Sequence, residues 1–242
     1  MLGFIGGNGV AATNKLLQLI EERFVENGAI RDSHHPEMLI WQATQAPSRS
    51  MFIEGRGPSF IDDYVRIGTM LKSCGCTELC IGCNTAHYAI DEISSRVELP
   101  FINIIDEVVK KVFFEGYRKV AIMCTDGCRK TKLYERSFLK YAPNVEIFYP
   151  SEIDQRNVTL GICNAKNSNR NKDLSSMYNP YNIFSMVVKN LENMMGNEPD
   201  CCVIAGCTDI RNVFFKKNIN GNCGYIDSLE VLADYIYNKY KI

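Results

Sequence analysis

The 242-residue chain predicts an α/β protein made of two similar halves, and three observations carry that expectation. Apolar strand-like runs alternate with segments of helical periodicity, the pattern of helices packed on parallel sheets. Two short motifs, Cys83-Asn84-Thr85-Ala86-His87 and Gly206-Cys207-Thr208-Asp209, each place a cysteine and a threonine just after such a run. Other anchors recur in the same order: the two cysteines lie 124 residues apart, Gly9 and Gly127 118, and Ile105-Asp106 and Ile226-Asp227 121. That period is far too long for a solenoid and points to duplicated domains.

The first half reads in order as follows. Leu2-Gly3-Phe4-Ile5 is a strand, and Gly6-Gly7-Asn8-Gly9 a glycine turn. Leu16, Leu17, Ile20 and Phe24 recur at helical spacing, and Met38 to Ala43 forms a second strand. Thr44 to Ser59 is rich in Pro, Ser, Gly and Arg and reads as a loop. Ile61, Tyr64, Val65, Gly68 and Leu71 mark a helix leading to the strand Leu79-Cys80-Ile81-Gly82. Beyond Cys83, Ala86, Ile90, Ile93 and Val97 line one helical face; Pro100 to Ile105 is a strand, with a helix from Asp106.

The second half repeats the alternation less cleanly. Lys119 to Met123 is a strand entering Cys124-Thr125-Asp126-Gly127-Cys128, and Asn164 to Asn182 an Asn- and Ser-rich surface loop. Cys202-Val203-Ile204-Ala205 is the strand before Cys207. Ligands of parallel sheets sit at the carboxyl ends of strands. Both glycine turns and both cysteine motifs fall at such ends, so the expected active site is the cleft between the halves.

Composition narrows the function. A net charge of −1, with 46% hydrophobic and 23% charged residues, gives no reason to expect nucleic acid or a membrane surface as partner. No apolar run approaches the roughly 20 residues of a membrane span, and the first residues lack the basic region of a secretory leader. Eleven cysteines, an odd number often in apolar contexts (Cys80, Cys201, Cys202), fit reduced thiols and a cytoplasmic location. Cys74, Cys76, Cys80 and Cys83 are too close together for the two separated knuckles of a structural zinc site, and Cys80 falls inside a strand, not at the helix start a redox Cys-x-x-Cys requires.

A helix N-terminus offers unpaired N–H groups and a positive dipole end, which stabilise a thiolate or a bound carboxylate. Two such cysteines suggest two thiols facing one substrate. Gly7-Asn8-Gly9-Val10-Ala11-Ala12 matches a dinucleotide fingerprint. The second strand, however, ends at Ala43-Thr44-Gln45, without the acid that would hold the ribose, so a cradle of N–H groups for a small carboxylate fits better.

Taken together, Ile5-Gly6-Gly7-Asn8-Gly9 with Ala12-Thr13, Gln45-Ala46-Pro47-Ser48-Arg49, the Cys83 motif and Ala205-Gly206-Cys207-Thr208-Asp209-Ile210 resemble the aspartate/glutamate racemase family, in order from Gly3 to Asp227. The resemblance implies two doubly wound, pseudo-symmetric α/β domains: an N-terminal one over 1–105, with 213–242 packing back on it, and a C-terminal one over 106–212. It implies cofactor-independent racemisation of aspartate or glutamate, without metal or nucleotide, in a homodimer. Cys83 and Cys207 would be the base and acid on opposite faces of the α-carbon. Asn84, Thr85 and Thr208 would hold the α-carboxylate and amine, with Asn8 and Thr125 also at the substrate. Arg49 would clamp the distal carboxylate, although a solvated loop arginine is its plain alternative. Lys166 lies near the family's second cation, or is simply exposed. His87 is read as a structural residue.

The chain departs from the family pattern at Asn8, Val10 and Ala11 in the glycine turn, at Asp209 where glutamate is usual, and at Cys128 where a threonine contacts substrate. These leave aspartate, glutamate and a broader range open as substrates. Related alternatives are a hydantoin racemase or maleate isomerase, a non-catalytic carboxylate binder, and a thiol redox protein. Retention of both cysteines argues against a one-cysteine decarboxylase.

Overall fold

The computed structural model describes residues 1–167, 169–210 and 222–241. The first half runs β1 (Leu2–Gly6), α1 (Val10–Glu26), β2 (Met38–Gln42), α2 (Arg49–Ile53), α3 (Ile61–Ser73), β3 (Glu78–Ile81), α4 (Ile90–Val97), β4 (Phe101–Ile102) and α5 (Ile104–Phe114). The second runs β5 (Lys119–Met123), α6 (Asp126–Lys130), α7 (Leu133–Tyr141), β6 (Glu146–Phe148), α8 (Glu152–Ala165), α9 (Pro180–Met195), β7 (Cys201–Ala205), β8 (Gly224–Asp227) and α10 (Ser228–Tyr240). Each half builds a four-stranded parallel sheet, in the orders β2-β1-β3-β4 and β6-β5-β7-β8. The two orders are the same, so β1, β2, β3 and β4 correspond to β5, β6, β7 and β8. None of the described helices is long and apolar enough to cross a membrane.

Central strands are apolar on both faces, as sheets covered on both sides require. In β5, Val120 and Ile122 point one way and Ala121 and Met123 the other; in β7, Cys202 and Ile204 oppose Cys201, Val203 and Ala205. Leu2, Phe4, Cys80, Val120, Ile122, Cys202 and Ile204 belong to one core, shared with residues of α1, α5, α7 and α10. That helical layer lies between the sheets. The outer face of the first sheet carries Ile5, Leu79 and Ile81 under α3 and α4, and that of the second lies under α8 and α9. Cys80, Cys201 and Cys202 are therefore fully covered core residues, packing as small apolar side chains.

Several details differ from the sequence expectation. The strand expected over Pro100 to Ile105 is only β4, because the Asn103 side chain accepts from the N–H groups of Ile105 and Asp106 and starts α5 there. Asp227 caps α10 in the same way through Leu229 N–H. The structural mate of Asp227 is thus Asn103, 124 residues earlier, the same interval as the cysteines; the Ile105-Asp106 match was displaced. The loop expected over Thr44 to Ser59 contains α2, capped by Ser48. The Asn-rich loop narrows at both ends, since α8 reaches Ala165 and Pro180 opens α9; its residue 168 is outside the described residues. Of the segment 213–242, residues 213–221 and 242 also lie outside them. β8 completes the second sheet, and α10 packs against α1 and α5.

Candidate active site

The carboxyl ends of β1, β3, β5 and β7 converge on a cavity of about 240 Å³. All nine sequence-predicted site residues line it: Asn8, Arg49, Cys83, Asn84, Thr85, Thr125, Lys166, Cys207 and Thr208. Cys83 leaves β3 in an extended conformation and caps a 3-10 helix, Asn84–Ala89, in place of the expected α-helix start. Cys207 leaves β7 into a turn closed by Ile210 N–H donating to the Cys207 carbonyl at 2.8 Å. Ala86 N–H donates to the Cys83 carbonyl in the same manner at 3.2 Å. The two thiols therefore sit on equivalent turns of the two halves.

Each turn reaches across to the other half. The Thr208 hydroxyl donates to the Gly82 carbonyl at 3.0 Å. The Asn84 amide donates to Ser228 Oγ at 3.0 Å and accepts from the Tyr134 hydroxyl at 2.9 Å. Thr85 and Thr125 share a hydroxyl–hydroxyl bond of 2.8 Å. Gly127 lets α6 close over the site, since a Cβ there would sit 3.3 Å from Ser50 Cα and 3.4 Å from a Thr85 methyl. Asn8 is held from beneath, accepting from the buried Tyr64 hydroxyl and donating to the Ile5 carbonyl. Tyr64, Tyr134 and Ser228 escaped the sequence reading because each acts from a distant element.

His87 is buried, with Ile104 N–H donating to Nε2 at 3.2 Å, so Nδ1 carries the proton and donates to the Cys83 carbonyl at 2.9 Å. It fastens the Cys83 turn to α5, and burial lowers its pKa below the usual 6.5. The unfolded chain then takes up this proton first, so the stabilisation is complete above about pH 6.5 and is lost as pH falls through the folded value. In urea melts, His87→Asn is expected to be less stable than wild type at pH 7 but to lose less further stability on going to pH 5. Equal losses in the two proteins would exclude His87 as the group responsible.

Arg49, Lys166 and Asp209 line both this cavity and an adjoining space over the glycine turn. Burial disfavours the Arg49 guanidinium, but the influence of Cys83, Tyr64 and Asp209 outweighs this and raises its pKa. Lys166 lines the cavity with its side chain half-exposed: partial desolvation opposes its charge, and Asp209, at 3.1 Å from Nζ, more than compensates. The Cys207 thiol is pushed well above the ordinary range, first by burial and then by Asp209, with the Asp209 backbone N–H pulling the other way. A thiolate at Cys83 adds to the rise at Cys207. Cys128, which the sequence placed at a substrate-contacting position, lies buried outside the cavity lining, its backbone N–H donating to the Thr125 hydroxyl at 3.2 Å.

Two like α/β halves each bring one strand-end thiol, Cys83 and Cys207, to a shared cavity, which Cys163 of α8 also lines; together they define an α/β protein of two like halves with a cysteine-bearing cavity where their strand ends meet. The chain belongs to the Asp/Glu/Hydantoin racemase family, whose profile matches residues 5–236. Its fold is similar to that of an aspartate racemase from Picrophilus torridus (TM-score 0.80, 23% identity, 99% of this chain and 93% of that one). A glutamate racemase from Bacillus anthracis is also similar (TM-score 0.68, 15% identity, 99% and 80% of the two chains). In sequence, the chain is 22% identical over 139 residues to a broad specificity amino-acid racemase, RacX, of Bacillus subtilis. That match spans 56% of this chain and 59% of the relative.

Proposed function

We propose that the protein racemises an acidic amino acid, aspartate or glutamate, by passing protons between two cysteines and the α-carbon. The observation that carries this reading is the placement of one thiol from each half at equivalent strand ends on a single cavity. Inversion needs a base on one side of the carbon and an acid on the other. Burial and Asp209 favour the proton on Cys207, so in one direction the abstraction falls to Cys83. Its sulfur takes the α-proton, the electron pair stays on carbon and the carboxylate, and Cys207 delivers its proton to the opposite face. The thiolate and thiol are then exchanged, ready for the reverse direction.

The carbanion beside a carboxylate is stabilised by donors aimed at the carboxylate oxygens. The one hydroxyl proton left over from the Thr85–Thr125 pair and the backbone N–H groups of the two turns supply them. Arg49 and Lys166 take the distal carboxylate, the guanidinium through a planar pair of hydrogen bonds. This chemistry uses no cofactor.

A broader substrate range is the second reading. It is favoured by the Lys166–Asp209 pair, which offsets one of the two distal cations and weakens the demand for a second carboxylate. Proton NMR of L-aspartate and L-glutamate in D2O with the reduced protein tests both readings. Loss of the α-proton signal with formation of the D-enantiomer is expected for at least one acid. No exchange with either acid would remove the acidic-racemase reading, and exchange with neutral amino acids as well would favour the broader one.

A further inference from the structure

We propose, on the reading above, that Asp209 anchors the substrate's α-ammonium group and so makes the site select amino acids over amine-free dicarboxylates. The residue is only 3% exposed and lines the cavity two positions beyond Cys207. One oxygen, Oδ2, is satisfied by Lys166. The other, Oδ1, is buried and has no hydrogen-bond partner among the described residues. Holding Lys166 requires one oxygen, so a purely structural role leaves the second unexplained.

The surroundings of Oδ1 point to a ligand. The residue also lines an adjoining space of about 410 Å³ over the glycine turn. A Cβ at Gly9 would lie 2.7 Å from Oδ1, so the bare turn is what leaves room beside that oxygen. On the same cavity wall, Arg49 Nε is a buried donor that also lacks a partner. An unpaired anionic acceptor and an unpaired cationic donor in one cavity complement a zwitterion, with the ammonium on Asp209 and a carboxylate on Arg49. Buried polar groups are normally paired, and here the substrate would complete both.

Among the described residues, no other acceptor lining the cavity leaves a buried, unpaired oxygen. Glu54 pairs with Arg56, and the exposed Asp126 accepts from the Thr159 hydroxyl at 2.8 Å. The amide oxygen of Asn8 accepts from Tyr64, and that of Asn84 from Tyr134. Asp209 is the buried carboxylate with a free oxygen beside one of the reacting thiols.

Calorimetric titration of the reduced 242-residue chain with pre-equilibrated DL-aspartate and with succinate, its amine-free analogue, tests the assignment. Wild type is expected to bind aspartate more tightly. Asp209→Asn should weaken aspartate by about tenfold or more, the scale of one charge-assisted hydrogen bond, and leave succinate nearly unchanged. Lys166→Met should weaken both ligands by similar factors, because both carry the distal carboxylate. If Asp209→Asn does not fold, Asp209→Ser carries the same two expectations.

Equal weakening of both ligands by the Asp209 variant, or of neither, would overturn the anchor role; with wild type still exchanging the α-proton of aspartate, the racemase reading would stand. A wild type that exchanges no amino-acid α-proton would remove that reading, and the anchor with it.

Discussion

Cys83→Ala and Cys207→Ala are each expected to lower racemisation of aspartate by on the order of 10²- to 10⁴-fold, the usual contribution of a positioned acid or base. Inversion needs both faces served, so neither variant should retain appreciable net conversion. Residual isotope exchange should be handed. A protein keeping one thiol can still remove and return a proton on one face, so each variant should exchange one enantiomer in D2O, and the two variants opposite ones. Following both enantiomers by NMR and chiral chromatography separates the possibilities. Substantial racemisation retained by both variants would mean that the thiols are not the proton carriers. Near-wild-type activity in one would mean that its cysteine is only a wall of the cavity.

The second large effect is expected from Asn84→Ala, and it falls on stability as well as on turnover. The substitution removes two cross-half hydrogen bonds and strands the Tyr134 hydroxyl and Ser228 Oγ, on residues with 0% exposure. Each buried group left unpaired costs about 1–3 kcal/mol, so a loss of about 2–6 kcal/mol in urea unfolding is expected. Tyr134→Phe removes one of the two bonds and should cost less, and the double variant should cost less than the sum, because the partners are shared. Strict additivity would show that the Asn84–Tyr134 bond contributes nothing to holding the halves together.

The features legible in the sequence were those built on local patterns. β3 and β7 were evident as apolar runs, and the cysteines after them fell at the expected strand ends because chain direction alone decides which end of a parallel strand faces the site. The interval of 124 residues carried the duplication. What escaped was short or distant. α2 spans five residues inside a Pro- and Ser-rich stretch, too short for any periodicity to register. The Ile105-Asp106 anchor is displaced because an Asn and an Asp perform the same capping task, so identity of residue type does not mark the equivalent position. The clamps formed by Tyr134 and Ser228, the Tyr64 support under Asn8 and the bare oxygen of Asp209 depend on contacts between elements far apart in sequence. Asp209 itself was visible only as an acid following Cys-Thr.

The position of α10 has a consequence for synthesis of the protein. This helix packs against α1, yet the ribosome makes it long after. At 5–20 residues per second, the apolar face of α1 waits on the order of 10–40 s for its cover. The first sheet can pair in that time and take α1 and α5 onto its inner side, but the faces of those two helices that α10 covers stay open to solvent and to other nascent chains. Folding of the N-terminal half is therefore tied to completion of the C-terminal half, and this interval is where a chaperone would matter most to its yield.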